Sequence, residues 1–114
     1  MKIHVKKTKK MGRGVFASQD IKKGQIVEIA PTILLDSDDS DLIDYTKLRY
    51  HVYEYGPKRV CLGLGYASLY NHSDEPNCRF KTFSDHIKFT ALGDISKGSE
   101  LFINYGWDEE NYGW

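Results

Sequence analysis

The sequence of 114 residues predicts a single, mostly-β domain covering residues 1–114. Three observations lead to this fold class. Short apolar segments rich in Val, Ile, Tyr and Phe recur along the chain, clusters of Gly, Asp, Ser and Pro separate them, and one turn sequence occurs twice. A chain of this length can bury about two thirds of the surface it exposes when unfolded, which is enough for one core.

The first third of the chain predicts strands around two glycines. Residues 3–5 and 15–17 are expected to form short strands, and Gly12 and Gly14 between them flank a single residue. Glycine permits positive φ and a close backbone approach to a bound molecule. Residues 25–35 predict either two strands or one bent strand broken at Pro31.

An acidic segment follows, with five aspartates and no base between positions 36 and 44. Asp41 is expected to cap a short helix that runs to Leu48, with Leu42, Tyr45 and Leu48 on one face. Residues 49–55 predict a strand. Acidic runs are usually solvated, and the alternative is that this one attracts a Lys-rich partner.

The last part of the chain predicts a hairpin and a final strand. Residues 79–83 and 86–92 are expected to pair across a turn at positions 84–85, and residues 101–106 form another apolar segment.

The turn sequence that occurs twice spans residues 17–27 and 91–101. The copies share Ala, Asp, Ile, Lys and Gly at matching positions. The shared Asp can cap its turn, and the shared Gly suits a left-handed conformation. Two copies are too few for a solenoid, so they predict two similar β units related by a pseudo-twofold axis.

Composition excludes several classes of function. Sixteen basic and sixteen acidic residues cancel, so overall charge favours neither nucleic acid nor membrane, although six basic residues in positions 1–13 leave a minor nucleic-acid contact open. Cys61, Cys78 and four scattered histidines lack zinc spacing, so no metal is expected. Without an apolar leader or membrane-spanning segment, the expected location is cytoplasmic or nuclear. The N-glycosylation sequon at Asn71 is therefore not expected to be used.

Asn71-His72-Ser73 places an amide, an imidazole and free backbone groups at the edge of the core. The triplet suits a small polar ligand or a well-satisfied loop. Taken singly, His72 is more often structural than catalytic, and Ser73 beside it does not make a nucleophile. Tyr105 is by default a core tyrosine whose hydroxyl needs a partner.

Three segments stand in order along the chain: Gly12-Arg13-Gly14-Val15-Phe16-Ala17, then Leu69-Tyr70-Asn71-His72-Ser73 with Pro76-Asn77-Cys78, then Glu100-Leu101-Phe102-Ile103-Asn104-Tyr105-Gly106. In combination they resemble the SET-domain protein lysine methyltransferases, in the short stand-alone form. The resemblance implies a β-clip of small curved sheets, with a short helical insert and a C-terminal pseudoknot that brings the Asn-His motif beside the last tyrosine.

The resemblance also implies site residues. Backbone groups around Gly12, Arg13 and Gly14 would cradle S-adenosyl-L-methionine. Asn71 would hold its methionine end, and His72 would bind the adenine edge largely through its backbone. Tyr105 matches the catalytic tyrosine.

The lysine channel would be lined by Phe80, Ile103 and Tyr105, together with tyrosines between positions 50 and 70. Many relatives have Phe at the position of Ile103, so the number of methyl groups added stays open. Trp107 or Trp114 would either stack on adenine or pack in the ordinary way.

Lysine methylation is an in-line displacement that needs alignment and a neutral amine rather than an activated Ser or Cys. The expected partner is a protein with an exposed lysine, such as a histone or histone-like tail, and a homodimer is left open. The alternative function is a non-catalytic SET-fold module that binds protein or cofactor.

Overall fold

The computed structural model describes residues 2–43, 45–56 and 59–106. Within these ranges the chain forms nine strands, one α-helix and two short 3-10 helices. The strands are β1 (Ile3–Lys7), β2 (Arg13–Ala17), β3 (Ile26–Leu35), β4 (Val52–Glu54), β5 (Val60–Gly63), β6 (Asn71–His72), β7 (Cys78–Thr82), β8 (His86–Ala91) and β9 (Glu100–Ile103). The helix α1 is Ser37–Ile43, and the 3-10 helices are Lys47–Tyr50 and Ala67–Leu69.

The strands form two small sheets, which confirms the mostly-β prediction. One sheet has the order β1-β2-β9-β6 and the other β4-β5-β3-β8-β7. A single hydrophobic cluster joins the two sheets. It includes Val15, Leu101 and Ile103 from the first sheet and Ile87 and Phe89 from the second.

The strand predicted over residues 25–35 is one continuous strand that passes through Pro31. Ile26–Pro31 pairs with β8, and Thr32–Leu35 pairs with β5. Proline cannot donate a ladder hydrogen bond, and it lies where the strand changes partners, so neither ladder is interrupted. The strand β3 therefore links both halves of its sheet.

The helix begins earlier than the sequence predicted. It starts after Asp36, whose side chain accepts a hydrogen bond from the Asp39 N–H at 3.1 Å, so Asp36 rather than Asp41 is the cap. The predicted apolar face is also wrong, because Leu42 and Tyr45 are 70% and 91% exposed. The predicted strand over 49–55 is reduced to β4, since residues 47–50 form a 3-10 helix.

The two copies of the turn sequence pack against each other with reciprocal hydrogen bonds. Ile21 and Ile95 form an antiparallel bridge, with both N–H···O distances at 2.8 Å. The Gly24 N–H donates to the Ala91 carbonyl, and Gly98 donates to Ala17 in the same way. Both glycines have positive φ, at 86° and 90°. The predicted pseudo-twofold relationship is therefore present.

The strand β9 lies between β2 and β6, pairing antiparallel with β2 and parallel with β6. Asn77 fastens it further. The Asn77 Oδ1 accepts the Phe102 N–H at 2.7 Å, and its Nδ2 donates to the Glu100 carbonyl at 2.9 Å. The loop after β6 thus returns to the last described strand, which is the contact that the expected pseudoknot requires.

Candidate active site

Asn71 joins the glycine segment to the last strand. Its Nδ2 donates to the Arg13 carbonyl at 3.1 Å and to the Glu100 Oε2 at 2.8 Å. Because both bonds use the amide nitrogen, the amide oxygen stays available as an acceptor. Three segments that are far apart in sequence therefore meet around one amide side chain.

Gly14 and Gly12 are required for different reasons. A Cβ at Gly14 would lie 2.4 Å from the Glu100 Oε2 and 2.9 Å from the Asn71 Nδ2, so only glycine leaves room for that hydrogen bond. Gly12 has open space around it but a φ of 67°, which L-residues disfavour. The expected positive φ is confirmed at Gly12, whereas Gly14 is approached closely by the side chains of Glu100 and Asn71.

His72 connects this cluster to Tyr105 through its side chain. The Tyr105 backbone N–H donates to the His72 Nδ1 at 3.0 Å. An acceptor nitrogen carries no proton, so the ring proton lies on Nε2, which is 3.0 Å from the Asp74 Oδ1. The imidazole therefore links Asp74 in the loop to the backbone of Tyr105, which follows β9.

The Tyr105 side chain is half-buried, and its hydroxyl donates to the Tyr70 carbonyl at 2.6 Å. Burial, and then the negative charge of Glu100, raise the pKa of the Tyr105 hydroxyl. A raised phenol pKa keeps the group protonated at neutral pH. The Tyr105 hydroxyl is thus a neutral, oriented dipole at the surface of the core.

An aromatic cluster lies behind Tyr105. The rings of Tyr53 and Phe80 meet edge to face at 5.0 Å, and Tyr70 stacks on Phe89 at 4.2 Å. The Tyr53 hydroxyl donates to the Ala67 carbonyl at 2.5 Å. Burial raises the pKa of Tyr53 well above its ordinary value, with smaller electrostatic contributions from Tyr105 and Glu28, so Tyr53 lies in an apolar environment.

The structure brings Gly14, Asn71, His72 and Tyr105 together, and it places Phe80 and Ile103 in the core behind them. Phe80 is 4% exposed and Ile103 is fully buried. Trp107 and Trp114 lie outside the described residues.

Two carboxylates were missed by the sequence analysis: Glu100, which accepts from Asn71, and Glu28, which accepts from Tyr70 at 2.8 Å. In the sequence, each of these two residues stood out only as an acidic residue within an otherwise apolar strand segment.

The family model described as the SET domain matches residues 12–106, which contain every residue of this cluster. This chain belongs to the SET-domain family of protein lysine methyltransferases. The resemblance seen in the sequence is therefore confirmed, and the protein is a methyltransferase by family.

Curated relatives agree with this assignment. A Schizosaccharomyces pombe histone-lysine N-methyltransferase, H3 lysine-37 specific, is 30% identical over 107 residues, covering 91% of this SET-domain chain and 73% of the relative. The N-lysine methyltransferase KMT5A-A of Danio rerio is 32% identical over 111 residues, which cover 83% of this chain but only 32% of that protein.

Solved structures show the same fold. A Plasmodium falciparum protein described as a candidate histone methyltransferase superposes with a TM-score of 0.76 at 31% identity, covering 94% of this chain and 99% of its own. The SET-domain chain also matches 14% of a chain in Polycomb Repressive Complex 2 from Chaetomium thermophilum, with a TM-score of 0.73 and 26% identity.

Two further observations concern only the described residues. None of their helices is long and apolar enough to span a bilayer. No group of three or more His, Cys, Asp or Glu side chains in those ranges is arranged to hold a metal ion.

Proposed function

We propose that this protein transfers a methyl group from S-adenosyl-L-methionine to the ε-amine of a lysine in a protein substrate. The observation that carries the proposal is the connection between Asn71, His72 and Tyr105. The His72 side chain accepts the Tyr105 N–H, and the side chain of Asn71, its neighbour along the chain, donates to the Arg13 carbonyl in the glycine segment. A cofactor held by the Asn-His segment would therefore lie beside the Tyr105 hydroxyl.

The residues present fit the cofactor. The absence of a Cβ at Gly14 leaves room for the Asn71 amide, whose oxygen can accept from an ammonium group. The Glu100 carboxylate beside it favours a cationic ligand. S-adenosyl-L-methionine supplies a methyl group bonded to a positively charged sulfur, and Gly12, Arg13, Gly14, Asn71 and His72 are the residues we assign to holding it.

Tyr105 is the residue that we assign to catalysis. Its protonated hydroxyl is fixed by the Tyr70 carbonyl, so its oxygen is oriented toward a defined direction before substrate enters. An oriented dipole stabilises charge that develops during transfer without having to reorganise. Because its raised pKa keeps the Tyr105 hydroxyl protonated, we do not assign to it the removal of the lysine proton.

The incoming lysine must lose a proton, because a free lysine has a pKa of about 10.4. An apolar surrounding disfavours the ammonium form and lowers that pKa. The cluster of Tyr53, Phe80 and Tyr105 supplies such a surrounding. We assign Phe80 and Ile103 to the closed inner end of the lysine channel, where their bulk would limit how many methyl groups fit.

A basic tail is the substrate that fits the charge pattern. The exposed helix α1 carries Asp38, Asp39 and Asp41, and their negative charges would attract a Lys-rich segment. The Schizosaccharomyces pombe relative is named for a lysine of histone H3, which supports a histone or histone-like tail and a nuclear or cytoplasmic location. A homodimer stays a proposal, which gel filtration of the active protein would test.

The proposal is tested by incubating the protein with core histones and with a whole-cell lysate in the presence of methyl-labelled cofactor. We expect label on lysine in the substrate, and a mass increase of one or more CH₂ units. Calorimetry with the cofactor alone separates the alternatives. Binding without transfer to any substrate would favour the non-catalytic module, and absence of both would overturn the cofactor assignment.

A further inference from the structure

Glu28 is a carboxylate on the inner face of β3 that the reaction described above does not use. The register of β3 against β8 shifts between Ile26 and Glu28, which is the mark of a β-bulge. A bulge turns the following side chain to the other face. Glu28 therefore lies opposite the fully buried Phe89, within the sheet that carries the aromatic cluster.

Two donors converge on this carboxylate. The Tyr66 N–H donates to the Glu28 Oε2 at 2.9 Å, and the Tyr70 hydroxyl donates to Oε1 at 2.8 Å. Gly65 has a φ of 59°, and a Cβ there would lie 2.6 Å from Oε2. The turn before Asn71 is therefore shaped to receive the Glu28 carboxylate.

The contact continues to Tyr105. Tyr70 is 1% exposed, its ring stacks on Phe89, and its carbonyl accepts the Tyr105 hydroxyl at 2.6 Å. Glu28 fixes the phenol end of Tyr70, Phe89 fixes the ring face, and the backbone end then orients Tyr105. A chain of two hydrogen bonds thus joins Glu28 to the residue assigned to catalysis.

The environment of Glu28 also affects its protonation. Burial raises the pKa of Glu28, outweighing the two hydrogen bonds, which lower it. An acid whose pKa is higher in the folded state loses stabilisation as pH rises through that folded value. Protonation of Glu28 is therefore easier in the folded than in the unfolded chain, while the hydrogen bonds from Tyr66 and Tyr70 hold its carboxylate in place.

We propose that Glu28 is a positioning residue for Tyr105, acting through Tyr70 to hold the catalytic hydroxyl in its productive orientation. The inference rests on the proposed methyl transfer and adds a residue outside the cofactor pocket and the lysine channel. It commits to an order of action, from the Glu28 carboxylate to the Tyr70 phenol and then to the Tyr105 hydroxyl.

The kinetic test uses the variants E28A, E28Q and Y70F with the lysine substrate found in the labelling assay. A small misplacement of a catalytic group can cost about a hundredfold in rate, so we expect kcat of E28A to fall by about that factor. Gln keeps one acceptor, and Phe removes one donor, so E28Q and Y70F should each lose about tenfold. The double variant E28Q/Y70F should lose no more activity than E28Q or Y70F alone, because both changes act on the hydrogen bond between Glu28 and Tyr70.

Two controls separate positioning from folding. The exposed Asp85 in the turn between β7 and β8 provides matched changes, D85A and D85N, which should leave kcat unchanged. The unfolding temperature of each variant is measured at pH 7, and kcat of E28Q should fall by more than any change in its folded fraction accounts for, while its dissociation constant for the cofactor stays unchanged. Additive losses in the double variant, or equal kcat for E28A and wild type, would overturn the inference.

A readout that needs no activity keeps the inference separate from the proposed function. In protein with carbon-13 in its tyrosine rings, the signal of the Tyr105 carbon that bears the hydroxyl reports its hydrogen bond and is assigned with Y105F. We expect E28A to shift this signal and D85A to leave it in place. A wild-type protein without transferase activity would refute the proposed function, whereas an unmoved Tyr105 signal in E28A would refute the role of Glu28 alone.

Discussion

His72 and Tyr105 are joined by a hydrogen bond from the Tyr105 backbone N–H to the His72 Nδ1, at 3.0 Å. Their rings lie 5.1 Å apart at an angle of 57°. The side chain of His72 therefore fixes the segment that carries the hydroxyl we propose as catalytic, in addition to the backbone role proposed for His72 toward the cofactor. These two contributions can be separated by mutation.

The first prediction concerns the nitrogen of His72 that accepts this bond. In H72N the amide oxygen lies near the position of Nδ1 and can accept the same N–H, whereas H72A leaves that donor unpaired. We expect kcat of H72A to fall by about a hundredfold, because misplacement of a catalytic group has effects of that size. H72N should recover most of the loss, as measured in single-turnover methylation.

The comparison variant for this prediction is D74A, which removes only the partner of Nε2. Asp74 is exposed, so its loss should change kcat little. Equal activity of H72A and H72N would show that the Nδ1 contact does not position Tyr105.

The second prediction concerns the Tyr105 hydroxyl itself. In Y105F the ring stays but the bond to the Tyr70 carbonyl is lost. Removal of one oriented dipole from a reaction centre costs about 10²–10³ in kcat, and we expect a loss of that order. Calorimetry should give an unchanged dissociation constant for S-adenosyl-L-methionine. Undiminished turnover in the labelled-methyl assay would remove Tyr105 from the reaction.

The third prediction concerns the Asn71 side-chain amide, which bonds Arg13 and Glu100 at the proposed cofactor site. N71A removes the two bonds from Nδ2 together with the free acceptor oxygen, and we expect the cofactor dissociation constant to rise about tenfold. G14A should have a similar effect, since its new methyl group would displace Asn71 from Glu100.

The matched control for this prediction is G93A. Among the described residues, and apart from its own chain neighbours, no heavy atom lies within 4 Å of a Cβ added at Gly93, so the extra methyl group should leave cofactor affinity unchanged. An unchanged dissociation constant in N71A would remove Asn71 from the pocket.

The sequence predicted those strands and motifs that are marked by the composition or order of neighbouring residues. The strands around Val15 and Phe89 have apolar composition, and the Asn71-His72 motif stands out by its order relative to Tyr105. The contacts of single carboxylates had no such signal. Glu28 and Glu100 reach their partners across 42 and 29 residues of sequence, and only the folded register brings them together.

The errors in the acidic segment have a physical reason. Several aspartates there could each cap a helix, and propensity alone does not choose among them. The backbone hydrogen bond from Ser40 to the Asp36 carbonyl fixes the choice by starting the helix earlier. Leu42 gave a helical apolar pattern, but the described structure leaves this face without a core to pack on, so it stays exposed.

The last prediction concerns the repeated turns. Each shared aspartate was expected to cap its own turn, but in the structure it caps the other copy. Asp20 caps the other copy, accepting the Lys97 N–H at 2.9 Å, and Asp94 accepts the Lys23 N–H at the same distance. Each bond crosses more than 70 residues of sequence, so each ties the ends of the domain together. The two bonds are equivalent under the pseudo-twofold relationship.

Because of this equivalence, D20A and D94A should lower the free energy of unfolding by equal amounts, about 1 kcal/mol each. Urea denaturation followed by circular dichroism would measure both, with D85A as a control that should not change stability. If each aspartate capped only its own turn, D20A would leave hydrogen exchange at Lys97 unchanged. Faster exchange of the Lys97 N–H in D20A, and of the Lys23 N–H in D94A, is the result that the reciprocal arrangement requires.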